Sequence, residues 1–296
     1  MRENSRATSA ISVAGLKYCL LGILILGLAN IYVWQFIFGL SGQMKTVFFD
    51  IGQGDSIFME TPQKHQILID GGPSSKVAEK LGKQMPFWDK TIDLVILTHP
   101  DYDHLKGLLD ALDYYKVKNI IWTGELSEGK TFEAWLLKLQ KEGAKITLAK
   151  AGAKITAGDL KIDILYPLEL PKEDSQNNNE TSIAGRLVFG TTEFLFTGDI
   201  NREAEQAIIA NNKDIEADIL KISHHGSRSA TSLEFLANVK PEVAVISVGE
   251  NNSYGHPHQE VLSNLAEFGI KVMRTDLTGD ITITSNGSNF NYSPKN

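Results

Sequence analysis

The stretch Thr98-His99-Pro100-Asp101-Tyr102-Asp103-His104 constrains this chain more than any other, because it places two imidazoles and two carboxylates directly after the apolar run Asp93-Leu94-Val95-Ile96-Leu97. A short apolar run that ends in a polar cluster reads as a buried strand opening into a loop. The cluster therefore reads as a metal cradle at a strand end. Residues 99, 101 and 103 of an extended loop point to one side, and His104 would come from the turn that opens a helix over Leu105 to Ala111. Two metals can share such a cradle. Imidazole suits zinc, manganese and iron, and added carboxylates move the preference towards harder ions. The lone Cys19 lies in an apolar segment, so neither a disulfide framework nor a cysteine zinc site can form within the chain.

Further apolar runs end in the same kind of chemistry. Leu68-Ile69-Asp70-Gly71-Gly72 closes a strand with a carboxylate that either orients metal ligands from behind or caps a turn. Phe194-Leu195-Phe196-Thr197-Gly198-Asp199 ends in a carboxylate able to bridge two ions. In Leu220-Lys221-Ile222-Ser223-His224-His225-Gly226-Ser227 adjacent residues diverge, so one histidine should bind metal while its neighbour supports it or faces substrate. Phe49-Asp50-Ile51-Gly52-Gln53-Gly54-Asp55-Ser56 joins two strands through glycines, with Gln53 and Asp55 either touching substrate or shaping the turn. In the loop Asn252-Ser253-Tyr254-Gly255-His256-Pro257-His258, His256 reads as functional, donating to an oxyanion or phosphate, and His258 as a surface residue. His65, in a polar hairpin, reads as structural.

Residues 18–40, YCLLGILILGLANIYVWQFIFGL, carry no charge, against the roughly 20 apolar residues that cross a bilayer. A transmembrane anchor over 18–40 is expected, with a cleaved secretory signal as the competing reading. Trp34, Phe36 and Phe38 suit the outer interface, and Arg2, Arg6 and Lys17 favour a cytoplasmic segment over 1–17. The expected location is the cell membrane, single-pass, with residues 41–296 outside the cytoplasm. Three basic residues and one acidic give this segment a charge of +2, leaving −9 of the total −7 on the remainder. That balance does not advertise bulk nucleic-acid binding.

The remainder is long enough for one domain with a well-buried core. Strand-like runs fall at 46–50, 55–60, 66–70, 94–98, 119–123, 162–166, 184–189, 193–197, 219–222, 243–248, 271–274 and 280–285. Helical patterns fall at 75–85, 105–113, 132–142, 202–210, 231–239 and 259–268. The expectation is an α/β protein of layered sheets covered by helices, with a polar surface loop over 171–180.

Taken in order, FxDxGQGD at 48–55, LIDGG at 68–72, THxDxDH at 98–104, FTGD at 196–199, LKxSHHGS at 220–227 and YGHP at 254–257 resemble the metallo-β-lactamase superfamily. Within it, the resemblance is to the exported domain of ComEC-type DNA-internalisation competence proteins. Asp101 stands where the family's usual His-x-His-x-Asp-His has its second histidine, as in the competence branch, which argues against a β-lactamase. The resemblance implies a four-layer αββα sandwich preceded by one transmembrane helix. It also implies a dinuclear Zn²⁺ or Mn²⁺ site held by His99, Asp101, Asp103, His104, Asp199 and one of His224 or His225. A further superfamily histidine has no counterpart between His104 and His224, and Asn178, Asn179 or Ser182 is the candidate for its place. Only Gly107 remains of a glycine pair usual after His104.

The implied activity is phosphodiester hydrolysis, with DNA taken up from outside as substrate. Asp103 and Asp199 would hold the attacking water between the ions, while His256 and Ser227 contact the phosphate or protonate the leaving group. Competence proteins of this type carry a multi-helix channel, whereas this sequence shows one span, so a separate DNA-channel protein is an expected partner. Hydrolysis of small esters or lactones on the same fold, and a non-catalytic strand-binding module, are the alternatives.

Overall fold

The computed structural model describes residues 13–39, 42–171, 181–211 and 214–294. The chain divides into two compact units, one ending at Gly42 and the other beginning at Gln43. The first contains helix α1 (Val13–Gly39). Its segment Gly15–Trp34 is long and apolar enough, by length and composition, to cross a membrane. The helix thus begins ahead of the expected Tyr18, and Leu40 lies outside the described residues.

The second unit opens with an antiparallel meander of β1 (Met44–Phe48), β2 (Ile57–Glu60) and β3 (Gln66–Ile69). Strands β4 (Thr91–Ile96), β5 (Lys116–Trp122) and β6 (Lys145–Leu148) then add in parallel. They are reached through α2 (Lys76–Gln84), α3 (Tyr102–Tyr114) and α4 (Lys130–Glu142). On the other side of β1, β14 (Ile281–Ser285) and β15 (Phe290–Pro294) complete an eight-stranded sheet.

A seven-stranded sheet begins antiparallel, with β7 (Lys154–Ala157), β8 (Leu160–Tyr166), β9 (Ala184–Phe189) and β10 (Thr192–Phe196). It continues in parallel through β11 (Ile219–Lys221), β12 (Val243–Ile246) and β13 (Lys271–Arg274). Helices α5 (Arg202–Asn211), α6 (Leu233–Val239) and α7 (Gln259–Glu267) make the crossovers, and the single turn α8 (Thr275–Thr278) follows β13.

Side-chain alternation assembles these elements into four layers. Phe48, Ile67, Ile69, Ile96, Phe194, Phe196 and Val245 meet between the sheets. Their neighbours Val47, Leu68 and Val95 face outward against Val77, Leu105, Leu108 and Trp135 of α2, α3 and α4. On the opposite side Leu195, Leu220 and Ala244 pack on Ile208, Phe235 and Leu265 of α5, α6 and α7. The molecule is the αββα sandwich that the motifs implied.

All twelve expected strands and six expected helices have counterparts, but three strands escaped the sequence reading. β6 and β7 are short sheet-edge strands without the buried alternation that marks the others, and β15 lies at the opposite edge. A second difference bears on the site. Helix α3 starts at Tyr102 rather than Leu105, so Asp103 and His104 occupy its first turn, and of the expected ligands there only His99 and Asp101 remain in the extended approach.

That early start brings the helix backbone onto the Asp70 loop. The Gly71 N–H donates to the His104 carbonyl at 2.7 Å, and the Gly107 N–H to the Gly72 carbonyl at 2.8 Å. A β-carbon on Gly107 would meet the Gly71 carbonyl oxygen at 1.9 Å, so the single glycine kept from the expected pair is the one the packing needs. Gly107→Ala should cost about 3 kcal/mol through overpacking against rigid backbone, read as a lower urea midpoint. An unchanged midpoint would show that this close approach is not needed for stability.

Candidate metal centre

The parallel strands of both sheets deliver their carboxyl ends to one side of the sandwich, the usual position for sites in sheets of this kind. Asp70 follows β3, His99 follows β4, Asp199 follows β10, and His224 and His225 follow β11 in a tight turn over Ser223–Gly226. Asp70, His224 and His225 all adopt left-handed backbone angles, with φ of 57°, 48° and 55°. Such angles are uncommon for residues other than glycine and concentrate at functional sites.

The side chains converge. Candidate ligand atoms of His99, His104 and Asp199 lie within 4.8 Å of one another, as do those of Asp103, His104 and His225. The His225 Nε2 is 3.4 Å from an Asp103 oxygen and 3.5 Å from an Asp199 oxygen, and the same Asp199 oxygen is 3.5 Å from the His104 Nε2. Asp101, partly exposed, has Oδ2 3.6 Å from the His99 Nε2. His224 stands nearer the mouth with its Nε2 3.8 Å from Asp199. Of the adjacent pair, His225 is the buried member that belongs to the converging groups.

Each buried ring is fixed through its Nδ1. His104 Nδ1 donates to Asp70 Oδ2 at 2.8 Å. The Thr98 hydroxyl gives its proton to that same oxygen at 2.7 Å, and therefore accepts from His99 Nδ1 at 3.0 Å. His225 Nδ1 donates to the Ser247 carbonyl at 2.9 Å. Three Nε2 atoms are thereby aimed into the centre, and those of His99, His104 and His225, together with Asp199 Oδ1, are buried without a hydrogen-bond partner. Buried polar atoms are rarely left in that state. Orphaned imidazole nitrogens and carboxylate oxygens pointing at one another are the donor set a divalent ion satisfies.

Electrostatics follow from this crowding. Burial pushes His104 and His225 down, but Asp199 with Asp70 raises His104 well above its ordinary value, and Asp199 with Asp55 raises His225 to about 9. Burial works to raise Asp199, yet His225 and His104 hold it well below the usual carboxylate range. At the mouth, burial and then the neighbouring His224 and His225 press His256 down to about 4.

Several expectations need correction. Asp55, expected either to touch substrate or to shape the turn, is 1% exposed, paired with the equally buried Lys221 at 2.7 Å, and lies 3.3 Å from His225 Nδ1, behind the converging groups. Burial would raise its carboxyl, but Lys221 and His225 together hold it below its ordinary value. Gln53 is half-buried and its side-chain oxygen accepts from the Gly249 N–H at 3.2 Å, joining two loops. Ser227 is buried, and its hydroxyl accepts from the Ser229 hydroxyl at 3.0 Å. The exposed Ser229, which the sequence reading passed over, is the one beside His224, 3.5 Å from its Nδ1.

Ser182 lies behind His99, 3.4 Å from Nδ1, and accepts from the Asp199 N–H at 3.0 Å, so it is turned away from the Nε2 side where a ligand would stand. Asn178 and Asn179 lie outside the described residues. Burial and the neighbouring imidazoles hold His256 neutral near pH 7, which disfavours the expected role of protonating a leaving group over that of contacting phosphate. His258 is half-buried, its ring centroid 4.9 Å from that of His256, rather than a free surface residue. Lys221 and Thr98 went unassigned because each looks like an ordinary strand residue until its partner is folded against it.

Comparison with known proteins agrees with this geometry. The sequence model of the metallo-beta-lactamase superfamily matches residues 49–250. The chain is 38% identical to ComE operon protein 3 of Bacillus subtilis over 82% of its own length and 33% of that protein. It is 28% identical to Competence protein ComA of Neisseria gonorrhoeae over 78% of its own length and 30% of the other. It thus spans about a third of the length of the curated relatives it matches. Among solved structures, the metallo-beta-lactamase fold protein YhfI of Bacillus subtilis superposes with a TM-score of 0.54 at 16% identity, covering 82% of this chain and 100% of that one. The chain belongs to the metallo-β-lactamase superfamily, and within it resembles competence proteins of the ComEC type. Membership implies divalent metal binding, which the donor set fits.

Two outcomes follow. Ligand imidazoles must be neutral, yet the metal-free protein holds extra protons on His104 and His225 at neutral pH. Metal uptake should therefore release protons and weaken as pH falls below about 9. Calorimetric titration with Mn²⁺ or Zn²⁺ in buffers of different ionisation enthalpy reads this directly, and buffer-independent heats would contradict it. Asp70→Asn removes the carboxylate behind His104 and should weaken metal affinity about 10- to 100-fold with the fold retained, measured by competition with a chromogenic chelator.

Proposed function

We propose that this protein is a membrane-anchored, metal-dependent phosphodiesterase that acts on DNA outside the cytoplasm. Family membership and the site support a metal-dependent hydrolase, and the observation that carries this is the convergence of three orphaned imidazole nitrogens on Asp199. The finer reading, DNA as substrate, is supported by the competence proteins among the relatives. The anchor is supported by the apolar helix α1, with 1–17 as the cytoplasmic segment, 18–40 as the span and 41–296 as the hydrolase domain. A separate DNA-channel protein is the proposed partner.

In this reading His99, Asp101, Asp103, His104, Asp199 and His225 would together hold two divalent ions, Zn²⁺ or Mn²⁺. When bound, such ions supply Lewis acidity, polarising a phosphoryl oxygen and making a nucleophile available at neutral pH. The chain's own residues do the rest. Asp70, Thr98 and the Ser247 carbonyl keep the three imidazoles in the tautomer that presents Nε2. Lys221 compensates Asp55, which steadies His225 from behind.

At the mouth His224 and His256, with ring centroids 5.7 Å apart, offer N–H groups to phosphate oxygens, and Ser229 adds a hydroxyl beside them. Neutral donors can bind a phosphodiester without drawing its charge into a fixed ion pair. The exposed Tyr254, stacked on His256 at 5.7 Å, provides a face against which a nucleobase can stack.

Asp103→Ala should keep the fold, since Asp103 is only partly buried at the head of α3, and should abolish metal-dependent cleavage of single- or double-stranded DNA. The assay is a gel series over divalent ions, with lactones and a chromogenic lactam as comparison substrates. Full turnover by the metal-loaded variant would refute the assignment of Asp103, and activity confined to the lactone or lactam would refute the phosphodiester reading.

A further inference from the structure

The end of the sandwich opposite the metal centre carries an aromatic surface that the hydrolytic reading does not use. Phe87 and Trp88 are 81% and 72% exposed in the turn between α2 and β4. They pack edge-to-face on each other at 4.8 Å. Tyr114, at the last residue of α3, is 66% exposed. Large aromatics scattered singly over a surface need no explanation, but several gathered at one end mark an interaction site.

Strand register fixes where this end lies. β4 runs from Thr91, beside the turn, to Ile96, beside His99, a distance of about 17 Å. α3 likewise runs from the centre at Asp103 to Tyr114. β1 is antiparallel to β2, which is antiparallel to β3, so β1 is co-directional with β3 and β4. Lys45 is level with Glu60 and Gln66, at the starting ends of those strands. The chain therefore enters this unit, at Met44, on the aromatic end.

We propose that Phe87, Trp88 and Tyr114 form a second membrane contact, an aromatic surface that seats the hydrolase unit on an anionic lipid bilayer with its metal centre directed away from the membrane. The proposal rests on the reading that α1 spans a bilayer. Only four residues, 40–43, separate Gly39, the end of α1, from Met44 in the sequence. Trp, Tyr and Phe suit the headgroup boundary, where an apolar ring is buried while a polar edge stays wet.

Two lysines stand at this end as well, beside Asp89, which accepts from the Gln66 side-chain amide at 2.9 Å. Lys90 and Lys116, both exposed, flank the turn, Lys90 with its ammonium 5.1 Å from the Tyr115 ring. The carboxylates Asp93 and Asp113 are taken up by Lys118 and Lys138. Long lysine side chains at such a boundary keep their heads among anionic headgroups. Active-site orientation then follows without further contacts, because DNA approaching from outside meets the strand ends that carry His99 and Asp199.

The test uses the full chain reconstituted into phosphatidylcholine–phosphatidylglycerol vesicles with plain or brominated acyl chains. The chain has four tryptophans, of which Trp122 and Trp135 are buried in the core. Subtracting the emission of a Trp34→Phe/Trp88→Phe double variant from that of each single variant isolates Trp88 or Trp34. Loss of Trp88 emission in brominated vesicles, with a blue-shifted maximum in plain ones, is the expected result. Quenched Trp34 with unquenched Trp88 would overturn the proposal and leave the anchor standing. Quenched Trp88 with unquenched Trp34 would uphold the aromatic contact and overturn the anchor. Quenching of neither would overturn both.

Discussion

Three imidazole rings can stand as close as 4.1 and 5.4 Å from one another at a buried strand end only because each is tied through Nδ1 to a fixed acceptor behind it. That tether is the constraint the rest of the structure serves. Asp70, Thr98 and the Ser247 carbonyl each take the Nδ1 side of one ring, which leaves the three Nε2 atoms facing the centre. Asp55 and Lys221 extend the same logic one step deeper. A buried ion pair adds little stability by itself, but removing one member would leave an uncompensated charge costing about 3–5 kcal/mol.

The sandwich supplies what such a tether needs. Parallel strands from two sheets end at one side, so groups distant in sequence arrive already pointed towards each other. The loops between them are held by backbone contacts too close for side chains: Gly71 against Gly107, and Gly54, whose absent β-carbon would meet the Asp103 carbonyl oxygen at 2.2 Å. In this way glycines of three separate segments set the position of the first turn of α3, and with it Asp103 and His104. The left-handed angles at Asp70, His224 and His225 turn the chain sharply as each strand ends.

The aromatic end and the metal end are related by the same register. Because β1 and β4 run in one direction, the chain's entry and the Phe87–Trp88 turn are separated from the metal centre by the length of a strand. A fold that gathers chemistry at strand carboxyl ends leaves the amino ends available for attachment, and attachment there does not compete with substrate.

The layers could be read from the sequence because strands buried between two apolar surfaces need unbroken hydrophobic runs, and each run here is punctuated by glycine, aspartate or histidine. Edge strands β6 and β7 could not be read that way, since with little burial they carry no pattern. The chain itself determined which residue types would meet and at which strand ends, since Thr98–His104, Gly198-Asp199 and Ser223–Ser227 keep their chemistry whatever their orientation. Tertiary structure alone decided orientation: which of His224 and His225 is buried, that Asp55 faces Lys221 rather than solvent, that Ser229 and not Ser227 stands exposed, and that Ser182 lies behind His99. Those choices depend on backbone angles and on partners far apart in sequence, and no local pattern encodes a contact until the sheets have closed on each other.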